Sequence, residues 1–127
     1  MKKLFILLIF FLLSACQMNK SDLTFVGESE NWLAEVTVLQ TKGEETYQIQ
    51  LTNKGINVEE IDAIHYYVES KNNGVINFGE NDVTLNQEGK YDNKSLSSNF
   101  PSTTSNDELV IKIDWNDTSE SFDLRSK

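Results

Sequence analysis

Several residue types that build common functional sites are nearly absent from this sequence. The 127 residues include one Cys, one His and one Pro, and the formal net charge is −9. A single Cys excludes an intramolecular disulfide and a metal site made of several cysteines. A single His excludes a site that needs two imidazole ligands, although a carboxylate site remains open. The excess of acidic side chains argues against nucleic-acid binding, which requires a basic surface.

The N-terminal residues carry the pattern of a secretory signal peptide. Lys2 and Lys3 precede an uninterrupted apolar run of ten residues, Leu4 to Leu13. A helix of that length spans about 15 Å, half of a hydrocarbon core of roughly 30 Å, so it is too short for a stable transmembrane helix. A short apolar run after a positive segment, followed by small residues, is typical of a signal peptide.

The end of this run resembles the lipobox of bacterial lipoproteins. Leu13, Ser14, Ala15 and Cys16 match the L-[AS]-[GA]-C pattern at every position. The resemblance implies transfer of a diacylglyceryl group to the Cys16 sulfur, cleavage before Cys16 and an anchor of palmitate-type acyl chains. A cleaved secretory signal with a chance Cys, or an uncleaved short anchor, are the alternatives.

On this interpretation the chain divides into three segments. Residues 1–15 are the lipoprotein signal peptide, 16–22 are the lipidated Cys with a short polar tether, and 23–127 are one domain. The length leaves little room for a second domain. Cleavage removes Lys2 and Lys3 and makes the mature chain more acidic, so an anionic bilayer surface would repel it.

Apolar and polar residues alternate along the mature chain, with turn residues between the runs, which predicts β-strands. Asn73-Gly74 lies between two such runs and predicts a tight hairpin. Seven or eight short strands with frequent turns are typical of a sandwich, so we predict an all-β, immunoglobulin-like antiparallel β-sandwich. The predicted strands lie at 32–39, 47–52, 61–70, 75–78, 83–85, 90–98, 109–115 and 122–124.

One segment is ambiguous between helix and strand. Glu59, Glu60 and Ala63 favour a helix over Val58 to Tyr67, whereas the β-branched and aromatic residues of Ile64 to Val68 favour a strand. We predict a strand.

The alternation also predicts which side chains face the core. Trp115 is in phase with the apolar residues before it, so we expect it to be buried, with Lys112 and Asp114 facing solvent. The predicted inward residues are Trp32, Val36, Val38, Tyr47, Ile49, Leu51, Ile64, Tyr66, Val68, Leu109, Ile111, Ile113, Trp115, Phe122 and Leu124.

Both ends of the chain resemble one group of proteins. Cys16, the GESENW stretch from Gly27 to Trp32, and the closing hairpin with IDWN at Ile113 to Asn116 and FDL at Phe122 to Leu124 look like small surface lipoproteins of Firmicutes such as bacilli. The resemblance implies a single immunoglobulin-like β-sandwich of unassigned function. It brings no catalytic residues with it.

The sequence contains no assembled catalytic pattern. The only imidazole, His65, falls on the predicted outward face, and nucleophilic catalysis needs a base held beside the nucleophile. The scattered glycines form no phosphate-binding loop. Glu80, Asn81 and Asp82 offer some oxygens for Ca²⁺ but lack the spaced acidic pattern of a calcium loop. We therefore predict no catalytic residues, no cofactor and no metal, with Ca²⁺ at Glu80–Asp82 as the alternative to a solvated surface.

These observations predict a non-enzymatic domain that acts by binding. We expect it to be extracellular, held on the outer face of the bacterial cell membrane by lipid on Cys16, with a protein partner at the cell surface and no nucleic acid. An accessory subunit of an envelope enzyme or transporter is the alternative, and a small carboxylate-based hydrolase is a further one. The sequence leaves the partner and the oligomeric state open.

Overall fold

A computed structural model describes residues 21–41, 44–55, 57–72, 76–98 and 103–127. These residues form eight β-strands and one short 3₁₀ turn, Val58–Glu60. The strands are β1 (Ser21–Glu28), β2 (Trp32–Thr41), β3 (Glu44–Asn53), β4 (Ile64–Ser70), β5 (Asn77–Val83), β6 (Lys90–Ser98), β7 (Glu108–Trp115) and β8 (Thr118–Ser126).

All eight strands belong to one antiparallel sheet with the order β5-β4-β7-β8-β1-β2-β3-β6. The sheet curls until its two edge strands, β5 and β6, approach each other, so it is nearly closed around the core. This architecture is consistent with an all-β sandwich or barrel, and the prediction of an all-β antiparallel fold is confirmed.

Side chains, rather than backbone hydrogen bonds, join the two edges. Glu80 of β5 accepts hydrogen bonds from the Tyr91 hydroxyl of β6 at 2.6 Å and from the Asn93 amide of β6. The ring of Phe78 on β5 also stacks on that of Tyr47 on β3, with ring centroids 5.6 Å apart. Aromatic packing and the Glu80 carboxylate therefore join the two edges where the backbone hydrogen bonds of the sheet end.

The core follows the alternation of the sequence. Along β3, every second side chain from Glu45 to Asn53 is buried, as expected for a strand with one face on the core. All the predicted inward residues are buried except Trp115 and Phe122, which are partly buried against the core. Lys112 is exposed as expected, whereas Asp114 is only partly exposed.

Three parts of the strand prediction need correction. β1 was not predicted, although its Phe25 is fully buried, and it begins at Ser21 inside the segment assigned to the tether. Val83 ends β5 rather than starting a separate strand. The ambiguous segment divides into the 3₁₀ turn and β4, so its strand begins only at Ile64. The predicted hairpin turn at Asn73-Gly74 lies outside the described residues.

Antiparallel neighbours make the strand connections alternate between the two ends of the sheet. The connections 29–31, 54–63, 84–89 and 116–117 lie at one end, which we call the acidic end for the reason given below. Ser21 and Lys127 lie at the other, the N-terminal end, together with Thr103 to Asp107. Ser21, the first residue of β1, and the acidic end are thus separated by the length of a strand, about 27 Å for eight residues.

Candidate functional site at the acidic end

Backbone hydrogen bonds tie the first three connections of the acidic end together. The Lys54 N–H donates to the Asn31 carbonyl at 2.9 Å, and the Asn53 N–H donates to the Gly89 carbonyl at 2.8 Å. Gly89 has a φ of +79°, a backbone conformation that suits glycine. Its position next to Val58 brings the turn before β6 against the 3₁₀ turn.

Asn116 attaches the fourth connection. Its side-chain amide donates to the Glu60 carbonyl at 2.7 Å, and its side-chain oxygen accepts the Asp62 N–H at 3.3 Å. Asn116 and Asp117 have φ values of +44° and +61°, which fit a tight two-residue hairpin turn and are tolerated by these residue types. The acidic end is therefore a connected surface rather than a set of independent loops.

Charge is distributed unevenly between the two ends. At the N-terminal end, Lys71 lies 3.0 Å from Asp123 and 3.5 Å from Glu108, which Arg125 also approaches. The N-terminal end is itself acidic, with Asp22, Glu44, Glu45, Glu69, Asp107, Glu108 and Asp123 against Lys71, Arg125 and Lys127. The excess is larger at the acidic end, where carboxylates greatly outnumber the two lysines, Lys54 and Lys90. The carboxylates there are Glu28, Glu30, Glu59, Glu60, Asp62, Asp82, Glu88, Asp114, Asp117 and Glu120.

A cavity of about 470 Å³ lies between Asp62 and the β7–β8 turn. Trp115 forms part of its wall and packs edge-to-face on the fully buried Trp32, with ring centroids 5.4 Å apart. Asp114 and Asp117 also line the cavity. The prediction that Trp115 is buried is only partly correct, because the ring packs on the core on one side and borders a cavity on the other.

A second concave surface lies beside the 3₁₀ turn. It has a volume of about 540 Å³ and runs between Val58–Ile61 and Thr84–Gln87. Val58, Ile61 and Leu85 contribute the apolar surface, and Glu59 contributes a carboxylate. We call this surface the acidic-end groove.

Glu120 fixes the β1–β2 turn to the start of β8. Its carboxylate accepts hydrogen bonds from the Ser29 hydroxyl and from both the side chain and the backbone N–H of Asn31. Burial alone would raise the pKa of Glu120, but these hydrogen bonds and the nearby Lys54 outweigh it and lower the pKa. Glu120 is therefore a charged structural clamp of the acidic end.

Glu80 plays a similar part at the edge of the sheet. Besides Tyr91 and Asn93, it accepts a hydrogen bond from the Tyr66 hydroxyl at 2.7 Å. Burial opposes ionisation, yet the donated hydrogen bonds lower the pKa of Glu80. Burial and the Glu80 carboxylate raise the pKa of Tyr91 to about 12, so the tyrosine remains a protonated donor.

The residues that the sequence offered for Ca²⁺ lie in β5 rather than in a loop. Glu80 is occupied by hydroxyl and amide donors, and Asp82 has a φ of +57° at a bulge beside His65. The Asp82 N–H lies 3.3 Å from the Nδ1 atom of His65. Among the residues that the structure describes, no three His, Cys, Asp or Glu side chains form a group that could hold a metal ion.

The predicted site residues of the anchor lie outside the described residues. Leu13, Ser14, Ala15 and Cys16 all belong to this part of the chain. Within the part that the structure describes, no helix has the length and hydrophobicity needed to cross a bilayer.

Acid should destabilise the fold through its clamping carboxylates. Glu45, Glu80 and Glu120 each have a pKa below the ordinary value of 4.5. A lowered folded-state pKa stabilises the protein above the unfolded pKa, and this stabilisation disappears as the pH falls through the folded pKa. We expect urea midpoints, followed by Trp fluorescence, to stay level above about pH 5 and to fall steeply below about pH 4.5. A midpoint that is unchanged at about pH 3 would contradict the assignment.

The sequence indicated neither the acidic end nor its two concave surfaces, because their residues come from four separate connections. No family model matches the chain, and no curated protein or solved structure is significantly similar to it, so its function is inferred from its own residues and geometry.

Proposed function

We propose that this chain is a lipid-anchored domain on the outer face of the bacterial cell membrane, where it binds a protein partner through its acidic end. One observation carries the proposal. Strand β1 begins at Ser21, five positions after the lipobox Cys16 in the sequence, and Ser21 lies at the end of the sheet opposite the acidic connections. Two or more acyl chains on Cys16 would supply a stable anchor.

The charge of the domain supports this orientation. With Cys16 lipidated, the acidic end is carried about 27 Å beyond Ser21, which is several Debye lengths of roughly 8 Å from the bilayer. An anionic surface near the headgroups would be repelled, whereas the same surface at this distance is free to attract a partner. The bilayer repels the N-terminal end less, because Lys71 there forms ion pairs with Glu108 and Asp123.

Binding also accounts for the clamps better than carboxylate catalysis does. Glu45, Glu80 and Glu120 accept hydrogen bonds chiefly from hydroxyl and amide groups of other segments. Their lowered pKa values keep them ionised, whereas a general acid in a carboxylate hydrolase needs a raised one. Glu120 holds the β1–β2 turn of the acidic end in place, which favours a rigid binding surface there.

End-resolved photo-cross-linking in intact cells tests the proposal. A photoreactive amino acid is placed at Glu60 or Glu88 of the acidic end, and at Glu44 or Glu69 near the other end as matched exposed controls. We expect a discrete cross-linked protein from Glu60 or Glu88 and none from the controls. Adducts from the control positions alone, or equally from all positions, would contradict the proposal.

The identity of the cross-linked protein separates the two binding functions. A partner that is itself an envelope enzyme or a transporter subunit would make this chain an accessory subunit. Any other surface protein would make it an independent binding domain.

A further inference from the structure

The acidic-end groove combines an apolar floor with a charged border. Val58 and Ile61 are partly buried against the core, and Leu85 is 9% exposed, so the floor continues the hydrophobic core toward solvent. Thr84, Asn86 and Gln87 form one polar side of the groove. Such a surface can take apolar side chains from a partner on its floor and polar groups along its side.

The border of the groove is anionic and has no cationic partners among the described residues. Glu59 lines the groove, and Glu60, Asp62 and Glu88 lie in the same two connections, all of them exposed. None of these four carboxylates forms an ion pair in the described part of the chain. Of the two lysines of this end, Lys54 is bound to Glu28 at 2.8 Å, and Lys90 follows the 84–89 connection at the start of β6.

We propose, building on the function proposed above, that the groove binds a basic amphipathic segment of the partner protein. Apolar side chains of the segment would lie on Val58, Ile61 and Leu85, while its Lys or Arg side chains would face Glu59, Glu60, Asp62 and Glu88. Charge complementarity selects this occupant, because an anionic or purely apolar segment would leave the border carboxylates unpaired. The short apolar floor matches one face of a segment that presents apolar residues at regular spacing.

A peptide titration on the lipidated full chain tests this assignment. The protein is embedded in nanodiscs of uncharged phosphatidylcholine, and a fluorescent peptide of alternating Lys-Lys and Leu-Leu pairs is titrated by anisotropy. Protein-free nanodiscs correct for binding of the peptide to lipid. A peptide with Glu in place of Lys serves as the charge control, and we expect it not to bind.

Three variants locate the binding surface. The double variant Glu59→Lys/Glu60→Lys should weaken binding about tenfold or more, because it reverses charges bordering the groove. Val58→Thr, which keeps the side-chain shape but adds a hydroxyl to the floor, should weaken it about threefold. The matched charge control Glu44→Lys/Glu69→Lys, on exposed residues near the other end, should change it less than about twofold.

Equal weakening by the two charge-reversal pairs would show diffuse attraction to the net charge and would overturn the groove assignment. Full affinity in Val58→Thr would overturn the apolar floor. If the peptide does not bind but Glu60 and Glu88 still cross-link a protein in cells, this inference fails and the proposed function stands. If Glu60 and Glu88 also fail to cross-link a protein, both this inference and the proposed function are contradicted.

Discussion

Cells that express the Cys16→Ser variant should contain no acylated form of this protein. The proposed function requires acyl chains on the Cys16 sulfur, and a Ser hydroxyl is not a substitute for the thiolate as the nucleophile of that transfer. Because processing of lipoprotein signals follows acylation, the variant should also retain residues 1–15. Metabolic labelling with an alkyne fatty acid and the mass of the purified N-terminus report these two losses separately.

The matched control for this variant is Ser14→Ala, which still satisfies the L-[AS]-[GA]-C pattern and should label like the wild type. Membrane fractionation alone is a poor readout, because an uncleaved Leu4 to Leu13 run can itself retain the chain at the membrane. Equal label in wild type and Cys16→Ser would remove the anchor from this account. The domain would then be an ordinary secreted protein or one held by its uncleaved signal.

Replacing Glu45 by Ala should cost the fold about 3–5 kcal/mol, since it removes the acceptor of several buried hydrogen bonds. Glu45 is fully buried and accepts from Gln40 at 2.8 Å, from the Tyr47 hydroxyl at 2.7 Å, and from Thr103 through its N–H at 2.9 Å and its hydroxyl at 3.0 Å. These contacts clamp the connection before β7 onto the β2–β3 hairpin. Urea denaturation followed by Trp fluorescence measures the loss.

Two further variants identify the origin of this loss. Glu44→Ala changes the neighbouring exposed carboxylate and should stay within about 0.5 kcal/mol of wild type. Glu45→Gln should cost less than Glu45→Ala. The Gln amide oxygen can accept from the Thr103 N–H, while its two N–H groups donate to the hydroxyls of Tyr47 and Thr103. An Ala variant as stable as Glu44→Ala would show that the clamp contributes nothing.

The same contacts govern the acid sensitivity of Glu45. Burial would raise its pKa, but the hydrogen bonds from Gln40, Thr103 and Tyr47 outweigh that effect and lower the pKa. Glu45→Gln should therefore show a shallower loss of stability below about pH 4.5 than the wild type. An unchanged acid profile would assign the effect to other carboxylates.

Period-two alternation was sufficient to predict most of the fold. It identified β2, β3, β4 and β7 and placed nearly all their inward residues correctly, because each strand has one face on the core. It missed β1, where Phe25 is the only fully buried apolar side chain. Gly27 of β1 also gives no apolar signal, although a Cβ there would clash with the Asp123 carbonyl oxygen of β8.

The acidic end could not be found from the sequence because it depends on the direction of every strand. Successive connections lie at alternate ends of the sheet. One extra predicted strand therefore assigns every later connection to the wrong end. The separate strand predicted at 83–85 would place the turns at 84–89 and 116–117 at the opposite end of the sheet from the carboxylates of 54–63. The signal that was missed is the run from Asn77 to Val83, which continues as one strand through the bulge beside His65.

The central claim is that lipid lies at one end of this domain and the binding surface at the other. Once Cys16 carries lipid, Glu60→Cys or Glu44→Cys supplies the only free thiol for a donor dye, and energy transfer to an acceptor on the headgroups of vesicles reports its height. Because the two positions are separated by a strand of about 30 Å, we expect strong transfer from residue 44 and weak transfer from residue 60. Equal transfer from both positions, or stronger transfer from residue 60, would contradict the account.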